Sequence, residues 1–567
     1  MHYGHALYGL STKRPRCQSA AGSEQVGMAG AEWSVGQMKS DNLGICNECR
    51  ARVPAEFFFR EEQVWIRKDC PKCGATESLV SNDAKVWQEK RDLSHYVVTD
   101  KTSCSMKCDE CQRDHKPNMV FLDVTNRCNM NCPICIATIR DMGFDFNPPM
   151  AYFEKIFDAL GKMNPQPVVQ LFGGEPTVRE DLMDILAIAH KHGLKPHVVT
   201  NGLRLADEEY CRMLCEARVP LRFAFDGRSA DIYEKLRGNR AAYDKKMKAL
   251  ENLKKYSRRK HAIIGCAAWG FNDQYMADMF QYFHDNRDLI SDVGLIPLTE
   301  NWDPGEFKVE RHTTMEDVEK MVAMAIPGGE VEFIPAGMTY AMKKPRSFFR
   351  ENPRSEVLLL AGVHPNCEAM TLLISDGKCF RGINHYLKRP FKQAVREFEV
   401  ISKLIEPRLD SLDPKKFFQR HWGRLIIIKA VAPWVLRTVR ISRLGGGKPI
   451  RKLAGLIWRK MFRPKSEHGD FKARRPRAVM RVAMLPFEEQ HSIDGARLEN
   501  CKAVFAYEDI LDGKVKYFPA CSWYPYRNPI MKHISDKYGT VRYGKQIAEN
   551  PTTGKQAPPK ATHAAPA

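Results

Sequence analysis

RCNMNCPIC (residues 127–135) follows directly on FLDVT (121–125), an apolar run with the pattern of a buried strand. Its cysteines, Cys128, Cys132 and Cys135, have the spacing C-x3-C-x2-C. Three thiolates so placed can ligate three irons of a [4Fe–4S] cube and leave the fourth iron without a protein ligand. That open iron can chelate a small molecule through an amine and a carboxylate. Taken alone, the triplet also fits a ferredoxin-type or zinc site. The next strand-like run, VVQLF (168–172), leads into GGEPT (173–177). Gly173 and Gly174 allow close backbone approach, Glu175 can accept hydrogen bonds from an ammonium group, and Pro176 stiffens the turn. VVTNG ends the following strand with Thr200, Asn201 and Gly202, and FAFDG the one after with Asp226 and Gly227.

Outward from this centre, apolar runs alternate with amphipathic helical patterns from about residue 118 to 300, with LRFAF (221–225), HAIIGCAAW (261–269) and VGLIPL (293–298) continuing the rhythm. The pattern predicts an α/β fold in which crossover helices join parallel strands, a partial (β/α)6 barrel. Chemistry gathers at the C-terminal strand ends of such barrels, where the motifs fall.

The chain has 18 cysteines in 567 residues, too sparse for a disulfide scaffold but tightly grouped. Cys46, Cys49, Cys70 and Cys73 form two C-x2-C pairs, a zinc-ribbon or rubredoxin-like site for Zn or mononuclear Fe. Cys104, Cys108 and Cys111 repeat C-x3-C-x2-C, as an auxiliary [4Fe–4S] site or a zinc knuckle completed by His115. Cys367, Cys379, Cys501 and Cys521 are candidates for a further cluster, with buried structural thiols as the alternative. Cys211, Cys215 and Cys266 are expected in the core, and Cys17 in a terminal tail.

The chain is strongly basic, with net charge +20 and a pI near 9.2, which points to polyanionic partners. Residues 414–466 contain many Lys and Arg, no Asp or Glu, and interleaved apolar residues including Trp422, Trp434, Leu436, Leu444, Leu456, Ile457, Trp458 and Phe462. Its apolar runs are too short to cross a bilayer, so the segment suits an interface with anionic membrane lipids. No opening segment has the pattern of a signal peptide, and the thiols suit a reducing cytoplasm, with the protein peripheral on the inner leaflet. Expected divisions are a disordered 1–40, the ribbon at 41–80, an auxiliary segment at 81–117 and the core at 118–300. Barrel completion follows at 301–413, the basic segment at 414–466, a C-terminal auxiliary cluster region at 467–545 and a disordered 546–567.

The triplet followed by GGEP resembles the radical S-adenosylmethionine (SAM) superfamily. The resemblance implies that Cys128, Cys132 and Cys135 hold the radical-generating cluster. It also implies that Gly173, Gly174, Glu175, Pro176, Thr200, Asn201, Gly202 and Asp226 surround SAM. The wider arrangement, over about residues 44–530, resembles the tetraether and bacterial membrane-spanning lipid synthases, whose relatives include pterin-methylating enzymes. This implies two or three [4Fe–4S] clusters and a low-potential electron donor such as ferredoxin or flavodoxin. The implied reaction couples the ends of two lipid chains, with membrane lipids as substrate. Methylation of a pterin or other small anionic substrate is the alternative, and RNA modification a third. With no RNA-binding module in the sequence, no nucleic-acid partner is expected.

Overall fold

Alternating apolar strands and one-sided helices leave each strand no partner but the next parallel one, and that is how the chain folds. The computed structural model describes residues 42–93, 104, 106, 117–137, 139, 142–298, 311–349, 364–444, 478–487 and 491–543. Cys17, Cys108, Cys111, His115, the stretch 445–466 and the expected disordered ends lie outside them.

Strands β1 (Leu43–Ile45), β2 (Arg52–Arg60), β3 (Gln63–Cys70) and β4 (Gly74–Ser81) form an antiparallel meander. The second sheet has 12 strands. At its centre lie β5 (Met119–Thr125), β6 (Val168–Gly173), β7 (His197–Thr200), β8 (Leu221–Ala224), β9 (His261–Ala267) and β10 (Ile290–Pro297). They pair in sequence order, all parallel, as the alternation predicts. Helices Met150–Gly161, Leu182–Lys191, Glu208–Glu216, Ala242–Tyr256 and Met276–Asp285 provide the crossovers and turn apolar faces to one core. Buried Phe153, Ile156, Ile185, Leu214 and Phe283 each stabilise it by about 1.5–3 kcal/mol.

The sheet continues past the expected six. Strands β11 (Ile334–Pro335), β12 (Ala369–Ser375) and β13 (Phe380–Gly382) attach antiparallel beside β14 (Val479–Met484). β14 pairs parallel to β10, and β15 (Ala503–Glu508) parallel to β5, with β16 (Val515–Pro519) outside it. Thus β14, β15 and β16, within the region expected to hold a C-terminal auxiliary cluster, belong to the barrel sheet. β14 and β15 flank the six-stranded core on opposite sides. Just past β14, Phe487 meets Phe121 of β5 with ring centroids 5.3 Å apart.

Helix Phe417–Thr438 lies against helix Phe391–Asp410, burying Ile427 with Ile405, Leu409 and Phe348. Gly423 permits this contact, because a Cβ there would come within 2.3 Å of the Phe348 ring. No helix among the described residues is long and apolar enough to cross a membrane.

Candidate active site

The cysteine loop begins where β5 ends. Asn126 holds it, donating to the Phe144 carbonyl at 2.7 Å and accepting from the Phe146 N–H at 2.8 Å. Two glycines carry the neighbouring strand against it. Gly174 N–H donates to Thr125 O at 2.7 Å, and Glu175 N–H to Arg127 O at 2.9 Å. A Cβ on Gly173 would sit 2.3 Å from Thr125 O, and one on Gly174 2.2 Å from Arg127 O. The glycines expected to admit a ligand therefore also admit the cysteine loop itself. Gly173 has φ +117°, a conformation that favours glycine.

Glu175 is buried, and its carboxylate is already engaged. Oε1 accepts from Thr177 N–H (3.0 Å), Thr177 Oγ1 (2.6 Å) and Thr200 Oγ1 (2.7 Å), and Oε2 from Asn201 N–H (2.6 Å). Burial pushes its ionisation upward against these donors. Glu175 thus fastens the end of β7 to the end of β6, and only Oε2 keeps room for a ligand's donor. Asn201 Nδ2 turns to Asn129 of the cysteine loop at 2.7 Å.

Asp226 does not face the cavity as expected. Its carboxylate accepts both Arg237 Nε and an Arg237 terminal N–H, at 2.8 and 2.7 Å, and Cys266 N–H at 2.9 Å. A carboxylate that fully buried is satisfied within the protein, and it is Arg237 that reaches the cavity wall. Lys246, buried, donates to the carbonyls of Asn201 and Ala224, at 2.7 and 2.6 Å, tying two strand ends together. Burial lowers its pKa to about 8. Arg237 and Lys246 have no motif around them. The available signal was a cation among apolar positions of a helix: Lys246 shares the buried face of Ala242–Tyr256 with Ala242, Ala249 and Leu250.

Cys128, Cys132 and Cys135 stand with Gly173, Gly174, Glu175, Thr200 and Asn201 along one cavity of about 240 Å³ inside the barrel. Pro176, Gly202 and Asp226 are not among the residues that line it. Gly202 has φ +81°, and a Cβ on it would meet the Phe223 ring at 2.2 Å. The rest of the lining is chiefly apolar, including Phe121, Phe172, Ile264, Ile296 and Phe487. Cys266, expected in the core, lines it too. The donor set at the rim is three thiols; Glu175 and Cys266 also line the cavity, but the Glu175 carboxylate is engaged by Thr177, Thr200 and Asn201, and the C-x3-C-x2-C triplet fits a [4Fe–4S] cluster with one open iron.

In the ribbon, the ligand atoms of Cys46, Cys49, Cys70 and Cys73 all lie within 4.8 Å of one another, a closed four-thiolate site suited to Zn or Fe. The N–H groups of Cys73 and Lys72 lower the Cys70 thiol to about 7. Burial raises the ionisation of Cys367 and Cys501, and Cys521 lies near enough to both to raise them further. Cys104 packs in the same small cluster as Cys521, with Ile45, Met106, Ile493 and Leu498. Cys379 does not join them. The seven residues of β12, about 20 Å of strand, separate the Cys367 end from the turn holding Cys379, whose Sγ lies 3.7 Å from Asp376.

Residues 122–283, which carry the thiol rim and most of the parallel strands, match the Radical SAM superfamily and form a radical SAM domain. Residues 40–82 match the HMPTM N-terminal zinc ribbon domain. The fold therefore implies a [4Fe–4S] cluster and SAM, with Zn or Fe in the ribbon. Among curated proteins, the chain is 31% identical over 274 residues to a 7,8-dihydro-6-hydroxymethylpterin dimethyltransferase from Methanocaldococcus jannaschii, covering 46% of this chain and 54% of that protein. It is 32% identical over 141 residues to an Fe-coproporphyrin III synthase from Methanosarcina barkeri, covering 25% of this chain and 34% of the relative. The chain thus spans about half or less of these relatives' lengths. A solved structure of anSMEcpe with bound AdoMet and a peptide aligns with TM-score 0.30 at 20% identity, covering 37% of this chain and 59% of that one.

Proposed function

We propose that this chain is a radical SAM enzyme that removes hydrogen from an unactivated carbon of a substrate held in the barrel, and that it methylates a small anionic substrate of the pterin kind. The observation that carries the first part is the convergence of Cys128, Cys132, Cys135 and the Gly173–Glu175 turn on one largely apolar cavity. Cys128, Cys132 and Cys135 would hold a [4Fe–4S] cluster at that rim, which with SAM would supply hydrogen-abstracting radical chemistry. The chain's own task is to bind, orient and exclude water. Glu175, Thr200 and Asn201 fix the strand ends beside the rim, Arg237 presents a held positive charge, and the apolar wall keeps competing donors away. Cys104, Cys367 and Cys521 are proposed ligands of an auxiliary cluster, with Cys501 beside them. The methylation reading is supported by similarity to the pterin dimethyltransferase and by the ribbon match.

A second reading, the coupling of lipid chains by a protein resting on an anionic membrane, draws on one observation. Helix Phe417–Thr438 turns Phe418 (84% exposed), Trp422 (60%), Leu425 (50%) and Leu436 (55%) outward along one face with Lys429. Anaerobically reconstituted, reduced protein given SAM and 7,8-dihydro-6-hydroxymethylpterin separates the two by mass spectrometry. Methyl groups on the pterin are expected; an unchanged pterin, with linked chains in lipid extracts of an expressing host, puts the second reading in its place.

A further inference from the structure

Most polar side chains on the cavity wall have their hydrogen bonds filled by the protein. Glu175, Thr200, Asn201 and Arg237 are all engaged, as described. Two are not. Gln170 of β6 is 2% exposed, and among the described residues its side chain's hydrogen bond goes to Met119 Sδ, a weak acceptor, at 2.7 Å. Arg222 of β8 lines the same cavity, and its Nε is sealed from solvent without a hydrogen-bond partner. Among the described residues Arg222 has no carboxylate within ion-pair distance.

Strand register places both away from the thiol rim. Gln170 lies opposite His197, and Arg222 opposite Val199, while the rim stands at the far, C-terminal strand ends. A second arginine is close, but it is balanced: Arg481 lies opposite Asp292 in the ladder, with Nε 3.3 Å from the carboxylate. His197 adds no charge, because burial and the nearby Arg222 lower its pKa to about 3. Asp292 and Glu368 act on Arg222 only at longer range, and burial lowers it to about 10, so it stays cationic near neutral pH. A guanidinium fork left unpaired in a low-dielectric chamber is costly, and an anionic oxygen pair matches its geometry.

We propose that Arg222 and Gln170 form the floor of the chamber and hold an anionic oxygen group of the substrate, a carboxylate, phosphate or ionised lactam, leaving the opposite end of the substrate facing the thiolate rim. The floor thereby selects which carbon reacts. This rests on the barrel cavity being the substrate chamber.

The test uses the full chain, anaerobically reconstituted, titrated calorimetrically with benzoate and with benzyl alcohol, two probes of like shape and different charge. Wild type is expected to bind benzoate at least tenfold more tightly than the alcohol. Arg222→Met is expected to abolish that preference while alcohol binding stays the same, and Gln170→Leu to reduce it. Arg222→Lys, keeping charge without the fork, retains part of it and serves if the methionine variant does not fold. Equal binding of both probes by wild type, or an undiminished preference in Arg222→Met, overturns the proposal. Formation of 5′-deoxyadenosine in the same samples distinguishes the two layers. A wild type that shows the Arg222-dependent preference but forms none retains the floor and refutes the radical chamber.

Discussion

Arg237 brings a positive charge to the cavity only because Asp226 holds it in a two-bonded, buried pair. Removing one partner strands the other. Arg237→Met is expected to lower unfolding stability by about 3–5 kcal/mol, read by urea denaturation, because Asp226 loses its counter-charge. Truncating an exposed cation such as Arg240 is expected to leave the urea midpoint nearly unchanged. His197 sets a pH dependence of definite sign. Its folded pKa of about 3 lies below its ordinary 6.5, so the unfolded chain binds more protons between those values. Its contribution is whole above pH 6.5, and stability falls by up to about 1.4 kcal/mol per unit as pH drops toward 3. A His197→Phe variant is expected to flatten that slope in denaturation curves between pH 4 and 7; an identical slope refutes the assignment. At this scale the sequence was legible where residue type and spacing coincide, as in the cysteines and the double glycine. It was silent on Arg222, Arg237 and Lys246, whose meaning comes from burial, which tertiary packing decides.

The GGE turn and the cysteine loop are one device, joined by two backbone hydrogen bonds that only Gly173 and Gly174 leave space for. Gly174→Ala places a methyl 2.2 Å from Arg127 O, so the loop must shift. Loss of most of the iron bound at the rim is expected, with ribbon metal retained, read by metal analysis of separate ribbon-knockout and Gly174→Ala proteins. The outward face of helix Phe417–Thr438 makes a separate prediction. If it rests on anionic lipid, its Lys and Arg add about 1 kcal/mol each near the surface, and the protein floats with phosphatidylserine vesicles at low salt. Phe418→Ser with Trp422→Ser is expected to abolish flotation, and absence of flotation in the wild type would remove the membrane from the account. The apolar and basic composition of this helix was visible in the sequence. Which face it buried was not, because Gly423 and Phe348 are brought together by tertiary contact.

Across the whole molecule, the ribbon is bonded to residues 491–494, which precede β15. Lys68 Nζ donates to His491 O at 2.6 Å, and Asn42 Nδ2 to Asp494 Oδ1 at 3.3 Å. Ser81 Oγ bonds Glu316 at 2.8 Å, and Lys90 is buried between Glu316 and Glu319. Stripping metal from the ribbon is therefore expected to raise hydrogen exchange at residues 491–500 as well as in β1–β4, while β6–β9 stay protected. Unchanged exchange at 491–500 would mean the ribbon does not brace the barrel. The six central strands were readable from their rhythm. The edge strands β14 and β15 were not, since β14 follows β10 by some 180 residues and neither carries a motif. Radical chemistry in this barrel requires the three thiolates at its rim. Its most direct test is electron paramagnetic resonance of the anaerobically reconstituted, reduced protein with and without SAM, beside a variant with Cys128, Cys132 and Cys135 all changed to Ala. A four-iron signal that SAM perturbs in the wild type and that is missing from the variant is the predicted result; a SAM-sensitive signal that survives in the variant would contradict it.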